Sequence, residues 1–192
     1  MRDRQLPEVR IRYPDWVKDV VAWDRTDASE AARMHLAIDM ARENVLRETG
    51  GPFGAAIYEE TSGRLVAVGM NLVVPLDNSA LHAEMVAFMM AEQRVGSYTL
   101  AGPGLGAHVL YTSCEPCAMC LGATLWSGVR RVVWAATRAD ANRVAFDEGP
   151  VFPQSYEYLR ARGVEFGEPL LRAEGRAVLE LYQARGGIVY NG

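Results

Sequence analysis

Hydrophobic spacing divides the chain into helical and extended stretches that alternate along most of its length. Ala31, Met34, Ile38, Ala41 and Val45 recur every three or four positions, the spacing that lines up apolar side chains on one helix face. This predicts a helix over 27–48, capped by Asp27, with Glu30 completing a box-like start and Gly50-Gly51 at its end. Residues 53–58 form an apolar run of strand length and 65–74 a second, and the turn signal Ser62-Gly63 makes them a hairpin. A loop after Pro75 leads to a helix from Leu81. Residues 110–112 read as a strand, 115–126 as a helix and 131–135 as a buried strand. Residues 138–146 and 153–162 read as helices, 164–166 as a short strand and 172–185 as a final helix. A hairpin followed by alternating strands and helices predicts an α/β chain with a mixed sheet and helices on both faces.

The first 24 residues are polar and irregular, with Pro7, Pro14, Tyr13, Trp16 and Trp23. They read as an extension before a single domain over 25–192. Two tryptophans are too much apolar surface to leave in water, so the extension should pack on the domain, with a short helix near 14–22. At 192 residues, 49% hydrophobic and 23% charged, the chain has the composition of an ordinary soluble protein with a substantial core. A net charge of -4 argues against general affinity for nucleic acid, which needs a basic surface. Arg130-Arg131 borders an apolar strand and reads as a solvated strand end. No apolar run approaches the ~20 residues of a membrane span, and the N-terminus lacks the apolar core of a secretory signal. The three cysteines fall within seven positions, which fits a reducing, cytoplasmic setting better than a disulfide framework.

Chemistry concentrates in His82-Ala83-Glu84 and Pro116-Cys117-Ala118-Met119-Cys120. Together they offer one imidazole, two thiolates and a spare carboxylate. Three protein ligands with an open fourth position make a catalytic zinc site, whereas a structural site closes all four positions with protein. His82, Cys117 and Cys120 are therefore the expected zinc ligands, and Glu84 the expected proton carrier for a metal-activated water. Both stretches should open helices. Cys117 and Cys120, three apart, share a face, the helix N-terminus favours thiolate over thiol, and Pro116 suits a first turn. The competing reading is a zinc ribbon that only holds a fold. Cys114 is the obvious fourth ligand for it, but its place at a strand end makes it a buried neighbour. His35, in mid-helix, and His108, at a strand start, have no metal-like partners nearby in sequence.

These stretches, with Gly51-Pro52-Phe53-Gly54-Ala55-Ala56, Asn71, the run from Tyr111 to Ala123, Trp126, Asp140-Ala141 and Phe146-Asp147-Glu148, resemble the cytidine-deaminase superfamily and, within it, the bacterial guanine deaminases. The resemblance covers 27–166. The zinc motif alone says deaminase; the form Thr112-Ser113-Cys114-Glu115-Pro116-Cys117, Trp126 and the acidic run after Phe146 point to guanine. The resemblance implies a three-layer α/β/α sandwich with a mixed five-stranded sheet, one zinc per subunit, a homodimer, and hydrolysis of guanine to xanthine and ammonia. It further implies that Phe53 packs against the purine, that Asn71 and the Ala83 backbone hold its polar edge, and that Trp126 lines the pocket. Guanine presents N1–H and its 2-amino group side by side, and a carboxylate accepts both, which assigns ring orientation to Glu148. In this family the C-terminal segment can cross to the partner subunit. Here Gly186-Gly187 is the candidate hinge and Tyr190 the candidate lid residue. The rival readings are the same chemistry on guanosine, cytosine or ammeline, a tRNA adenosine deaminase, and a non-catalytic zinc scaffold. The acidic balance and Trp126 argue against the tRNA enzyme, and Glu84 against the scaffold.

Overall fold

Five strands organise the chain. In this computed structural model, which describes residue 6 and residues 8–191, they are β1 (Gly54–Glu59), β2 (Leu65–Met70), β3 (His108–Cys114), β4 (Arg131–Ala136) and β5 (Glu165–Phe166), in the order β2-β1-β3-β4-β5. β1 pairs antiparallel with β2 and β3, while β3, β4 and β5 run parallel. The antiparallel pair β1–β2 closes through a tight turn. The parallel pairs need crossovers, supplied by α4 (Ala118–Ser127) and then by α5 (Arg138–Arg143) and α6 (Pro153–Ala161).

The central strands are buried on both faces, which is why they read as unbroken apolar runs rather than alternating ones. Ala56, Tyr58, Val68, Tyr111, Val133 and Ala135 pack on one side with α2 (Glu30–Leu46) and α7 (Arg172–Ala184). Ala55, Ile57, Ala67, Leu110 and Val132 pack on the other with α3 (Ala83–Val95), α4 and α6. The result is the expected α/β/α sandwich. The sheet's carboxyl edge is where α/β folds place their sites. Here α4 leaves the end of β3, and α3 starts hard against β2. A Cβ on Gly69 would lie 2.0 Å from the Ala83 carbonyl oxygen, so only glycine lets the start of α3 sit this low on the sheet.

Several boundaries differ from the sequence reading, each for a local reason. Ser29, not Asp27, caps α2, its hydroxyl accepting the Ala32 N–H at 3.2 Å. Asp27 is engaged instead by the Tyr58 hydroxyl at 2.6 Å and by Arg25, and Glu30 pairs with Arg131. β2 stops at Met70 because the chain turns at Asn71, whose Oδ1 accepts the Val73 N–H at 3.2 Å. α4 begins at Ala118, so Pro116 precedes the helix rather than occupying its first turn.

Within the expected extension, α1 (Val17–Val20) forms, and Trp16, Val17 and Val21 are buried in the α2-side core. Trp16 donates to Thr49 Oγ1 at 3.0 Å. Tyr13 donates to the Val68 carbonyl at 2.8 Å, and Arg94 to that of Val66 at 3.1 Å, both on the edge strand β2. Residues 1–5 and 7 of that extension lie outside the described residues. Among the described residues no helix is long and apolar enough to cross a membrane.

Candidate metal centre and active site

His82 and Cys117 are the N-caps of α3 and α4, in extended backbone that turns both side chains across the gap between the helix starts. Cys117 Sγ lies 3.5 Å from His82 Nδ1 and accepts the Cys120 N–H at 3.5 Å. The donor atoms of His82, Cys117 and Cys120 all fall within 4.8 Å of one another, and among the described residues no other Cys, His, Asp or Glu joins them. Ligand bonds of about 2.0–2.3 Å span such a triangle, so one imidazole and two thiolates fit zinc in number, type and spacing. Cys114 stands apart with its sulfur toward the Thr137 carbonyl at 3.7 Å, which removes the closed four-ligand alternative. His35 pairs with Glu174 at 3.2 Å and His108 Nδ1 meets the Leu100 carbonyl at 3.0 Å, both ordinary structural roles.

The local field suits a bound cation. The hydrogen bond with Cys120 brings the Cys117 thiol down to about 4 against the opposing effect of burial, and His82 adds to the shift. Burial works against the charged form of His82, but Cys117, Glu84 and Glu148 outweigh it and raise its pKa. Glu84, in the first turn of α3 and only 6% exposed, is raised by burial and by the Cys117 thiolate. Burial pushes Glu148 up to about 8, with Cys117 and Glu84 contributing. Two carboxyls and a thiolate thus crowd one small volume, an arrangement that a divalent cation relieves.

That volume is a cavity of about 30 Å³ lined by Phe53, Glu84, Cys114, Phe146, Glu148 and Tyr190, with His82 and Cys117 in its wall. It opens toward a wider cleft of about 430 Å³ that adds Val73, Ser79 and Met119. Tyr190 lines both, its ring resting edge-on against Phe146 at 5.1 Å, and Phe146 in turn meets Phe53 at 5.0 Å. Asn191 fastens the tail, its Oδ1 accepting the Asp147 N–H at 2.9 Å and its Nδ2 donating to the Ala145 carbonyl at 2.8 Å. A Cβ on Gly51 would lie 2.0 Å from the Tyr190 hydroxyl, so the bare glycine makes room for it. The tail therefore covers the site of its own chain.

The expected substrate contacts divide. Phe53 and Glu148 line the cavity. Asn71 does not line the cavity; it is fully buried behind Phe53, its N–H donating to the Phe53 carbonyl at 3.0 Å, and its Nδ2 has no hydrogen-bond partner among the described residues. Ala83 opens α3 between His82 and Glu84 but does not line the cavity. Trp126 does not line it either. It is 79% exposed at the far end of α4, nine residues and about 13 Å along the helix from Cys117. The sequence reading placed no role on Phe146, Asn191 or Glu115, all of which line the cavity. The aromatic residue directly before the acidic pair was the available signal for Phe146; Asn191 carried none, because a terminal polar residue looks like any other.

The sequence profile of the cytidine and deoxycytidylate deaminase zinc-binding region matches residues 28–136. The chain is 36% identical to the guanine deaminase of Bacillus subtilis over 130 residues, covering 68% of this chain and 79% of that one. Its fold superposes on a solved guanine deaminase from Nitrosomonas europaea with a TM-score of 0.87 at 40% identity, covering 92% of this chain and 97% of the other. A solved complex with 2,6-diaminopurine matches with a TM-score of 0.88 at 41% identity, covering 95% and 96%. With its His-x-Glu and Pro-Cys-x-x-Cys stretches folded into one donor cluster, this chain belongs to the cytidine and deoxycytidylate deaminase family.

Proposed function

We propose that the protein hydrolyses guanine to xanthine and ammonia. The observation that carries this reading is the meeting of Glu84, Glu148 and Phe53 with the His82–Cys117–Cys120 cluster in one cavity, in a chain whose similar relatives include guanine deaminases. His82, Cys117 and Cys120 would hold the zinc, which would supply an acidified water, with a pKa of roughly 7, as nucleophile.

Glu84 takes one proton from the water as its oxygen bonds to C2 and passes it to the ring nitrogen beside C2; it then takes the second proton from that C2 hydroxyl and passes it to the amine, which leaves as ammonia as the C2–N bond breaks and C2=O forms. Its burial fits it to hold a proton between these transfers. Glu148 accepts N1–H and the 2-amino hydrogens of the ring, and these donors, with the metal's charge, favour its ionised form over the raised pKa it has alone. Phe53 and Phe146, in edge contact with each other, form an aromatic wall for the purine, and the orphaned Nδ2 of Asn71 supplies a donor to its polar edge. The inner cavity holds one water-sized volume of about 30 Å³, too small for a purine, so Tyr190 moves aside for entry and returns to exclude water.

Zinc-loaded protein should form xanthine from guanine, and Glu84→Gln should slow it about 10²–10⁴-fold while retaining zinc. Absence of xanthine from the loaded parent, or unchanged turnover in the variant, refutes the assignment. The active form we propose is a homodimer. Met119, Gly122, Ala123 and Trp126 form an apolar stripe on the outer face of α4, beside a cleft of about 380 Å³ between α4 and α6, and such a stripe suits burial against a second copy. Closure of the site does not require exchange of the tail, since the tail reaches its own chain's cavity.

A further inference from the structure

Glu115 has no role in the chemistry just described, yet both oxygens of its carboxylate are tied to other elements beside the site. It follows Cys114 at the end of β3, and its N–H donates to the Ala136 carbonyl at 2.8 Å, completing the last β3–β4 pair, Cys114 with Ala136. Its carboxylate is 13% exposed. Oε1 accepts the Tyr156 hydroxyl at 2.8 Å and Arg138 Nη2 at 3.0 Å, and Oε2 accepts the Arg138 backbone N–H at 3.1 Å. The Arg138 guanidinium also lies over the Tyr156 ring, 5.7 Å from its centre. Both oxygens are thus held by the start of α5 and by α6.

The topology gives this clamp a use. Glu115 is two residues before Cys117, so their Cα atoms are at most about 7.6 Å apart. Tyr156 lies on α6, which continues from the loop carrying Phe146 and Glu148. That loop is tied to α4 a second time, by the Ala118 N–H donating to the Glu148 carbonyl at 2.9 Å. The segments on either side of Cys117 are therefore both fastened to the stretch of chain that bears Glu148. Catalysis tolerates little error here, since a displacement of about 1 Å can cost 10²-fold in rate.

We propose that Glu115 is a positioning residue that, through Arg138 and Tyr156, sets the distance between the metal-donor thiolate of Cys117 and the ring-orienting carboxylate of Glu148. It rests on the deaminase reading of the site. A group acting only on fold stability would change the melting point and leave the kinetics of the surviving enzyme alone; a positioning group changes kcat with zinc still bound.

The test compares Glu115→Ala, Glu115→Gln and Tyr156→Phe with Leu159→Ala, which loosens buried α6 packing without touching Glu115. With one zinc retained per chain, Glu115→Ala should lower kcat for guanine about 10–100-fold and Tyr156→Phe about 3–10-fold, Glu115→Gln falling between parent and alanine. Leu159→Ala should lose stability and keep kcat within about twofold of the parent. Zinc transfer to a chelator should be about tenfold faster from Glu115→Ala than from the parent. The proposal is overturned if Glu115→Gln and Tyr156→Phe both match the parent in kcat, or if Leu159→Ala loses as much kcat as they do. Should the parent fail to turn over guanine, the substrate assignment falls by itself, and zinc transfer at the parent's rate from Glu115→Gln and Tyr156→Phe would then overturn the positioning role.

Discussion

Gly51→Ala offers a direct test of the tail as a lid, because one added methyl group strikes it and nothing softer. The new Cβ would sit 2.0 Å from the Tyr190 hydroxyl oxygen, 2.8 Å from Cζ and 3.0 Å from Cε1. Reaching ordinary contact near 3.5 Å requires a displacement of about 1.5 Å. The Gly51 backbone cannot supply it, since its carbonyl is held by Asn44 Nδ2 at 2.9 Å from within buried α2. Burial of the Tyr190 ring contributes about 2 kcal/mol to the closed tail. The two Asn191 hydrogen bonds add about 1 kcal/mol each. The tail is thus the weaker member and should be displaced. If closure retains the purine, losing the ring's share of about 2 kcal/mol lowers kcat/KM for guanine about 30-fold. Trypsin should also cleave more readily after exposed Arg185. Combining the change with Tyr190→Phe removes the 2.0 Å contact and should recover part of the loss. Unaltered kcat/KM together with unaltered cleavage would show that Tyr190 does not close the site.

Other outcomes follow from the same structure. Asp140 is buried, accepts the Thr137 N–H and hydroxyl at 3.0 and 2.9 Å, and takes a forked bond from Arg172 at 2.7 and 3.0 Å. Asp140→Ala should cost about 2–3 kcal/mol in urea unfolding, and a loss under 0.5 kcal/mol would refute the role. Arg172 holds the Asp140 carboxyl well below the usual carboxylate range. Its stabilisation is therefore complete above the unfolded value of about 3.9 and fades as the pH falls below it, a slope that Asp140→Asn should flatten in acid titrations followed by circular dichroism. Sedimentation velocity should show the parent as the proposed homodimer and Trp126→Glu as a monomer; a monomeric parent would refute the dimer, and a variant that stays dimeric would exclude α4 from the interface.

Much of the architecture was legible because its signals are periodic. The apolar spacing of α2 and the apolar runs of β1 and β4 follow from burial of one helix face and of both sheet faces. The grouping of His82, Cys117 and Cys120 was legible because a helix start fixes where residues 117 and 120 must point. Boundaries were less so. Asp27 is as good a cap as Ser29 by residue type, and only the long-range claims of Tyr58 and Arg25 on Asp27 decide between them. Trp126 went astray for a related reason: an aromatic residue near a motif in sequence can face away from it once the helix turns. Glu115 was visible inside the motif but mute, because its partners Arg138 and Tyr156 are distant in sequence.

The hold of Tyr13 and Arg94 on β2 has a consequence for the protein in a crowded solution. β2 is an outer strand of the sheet, and its carbonyls at Val66 and Val68 would otherwise invite another chain to add a strand. Side chains from outside the sheet occupy those acceptors, with Trp23 packed between the Tyr13 ring and the Arg94 guanidinium. The leading segment and Arg94 of α3 together act as a selvedge, finishing the fabric so that it neither frays nor knits to its neighbours. Shortening the chain past Tyr13 would leave the cavity's own residues in place and turn a discrete enzyme into one that accumulates as filaments or precipitate.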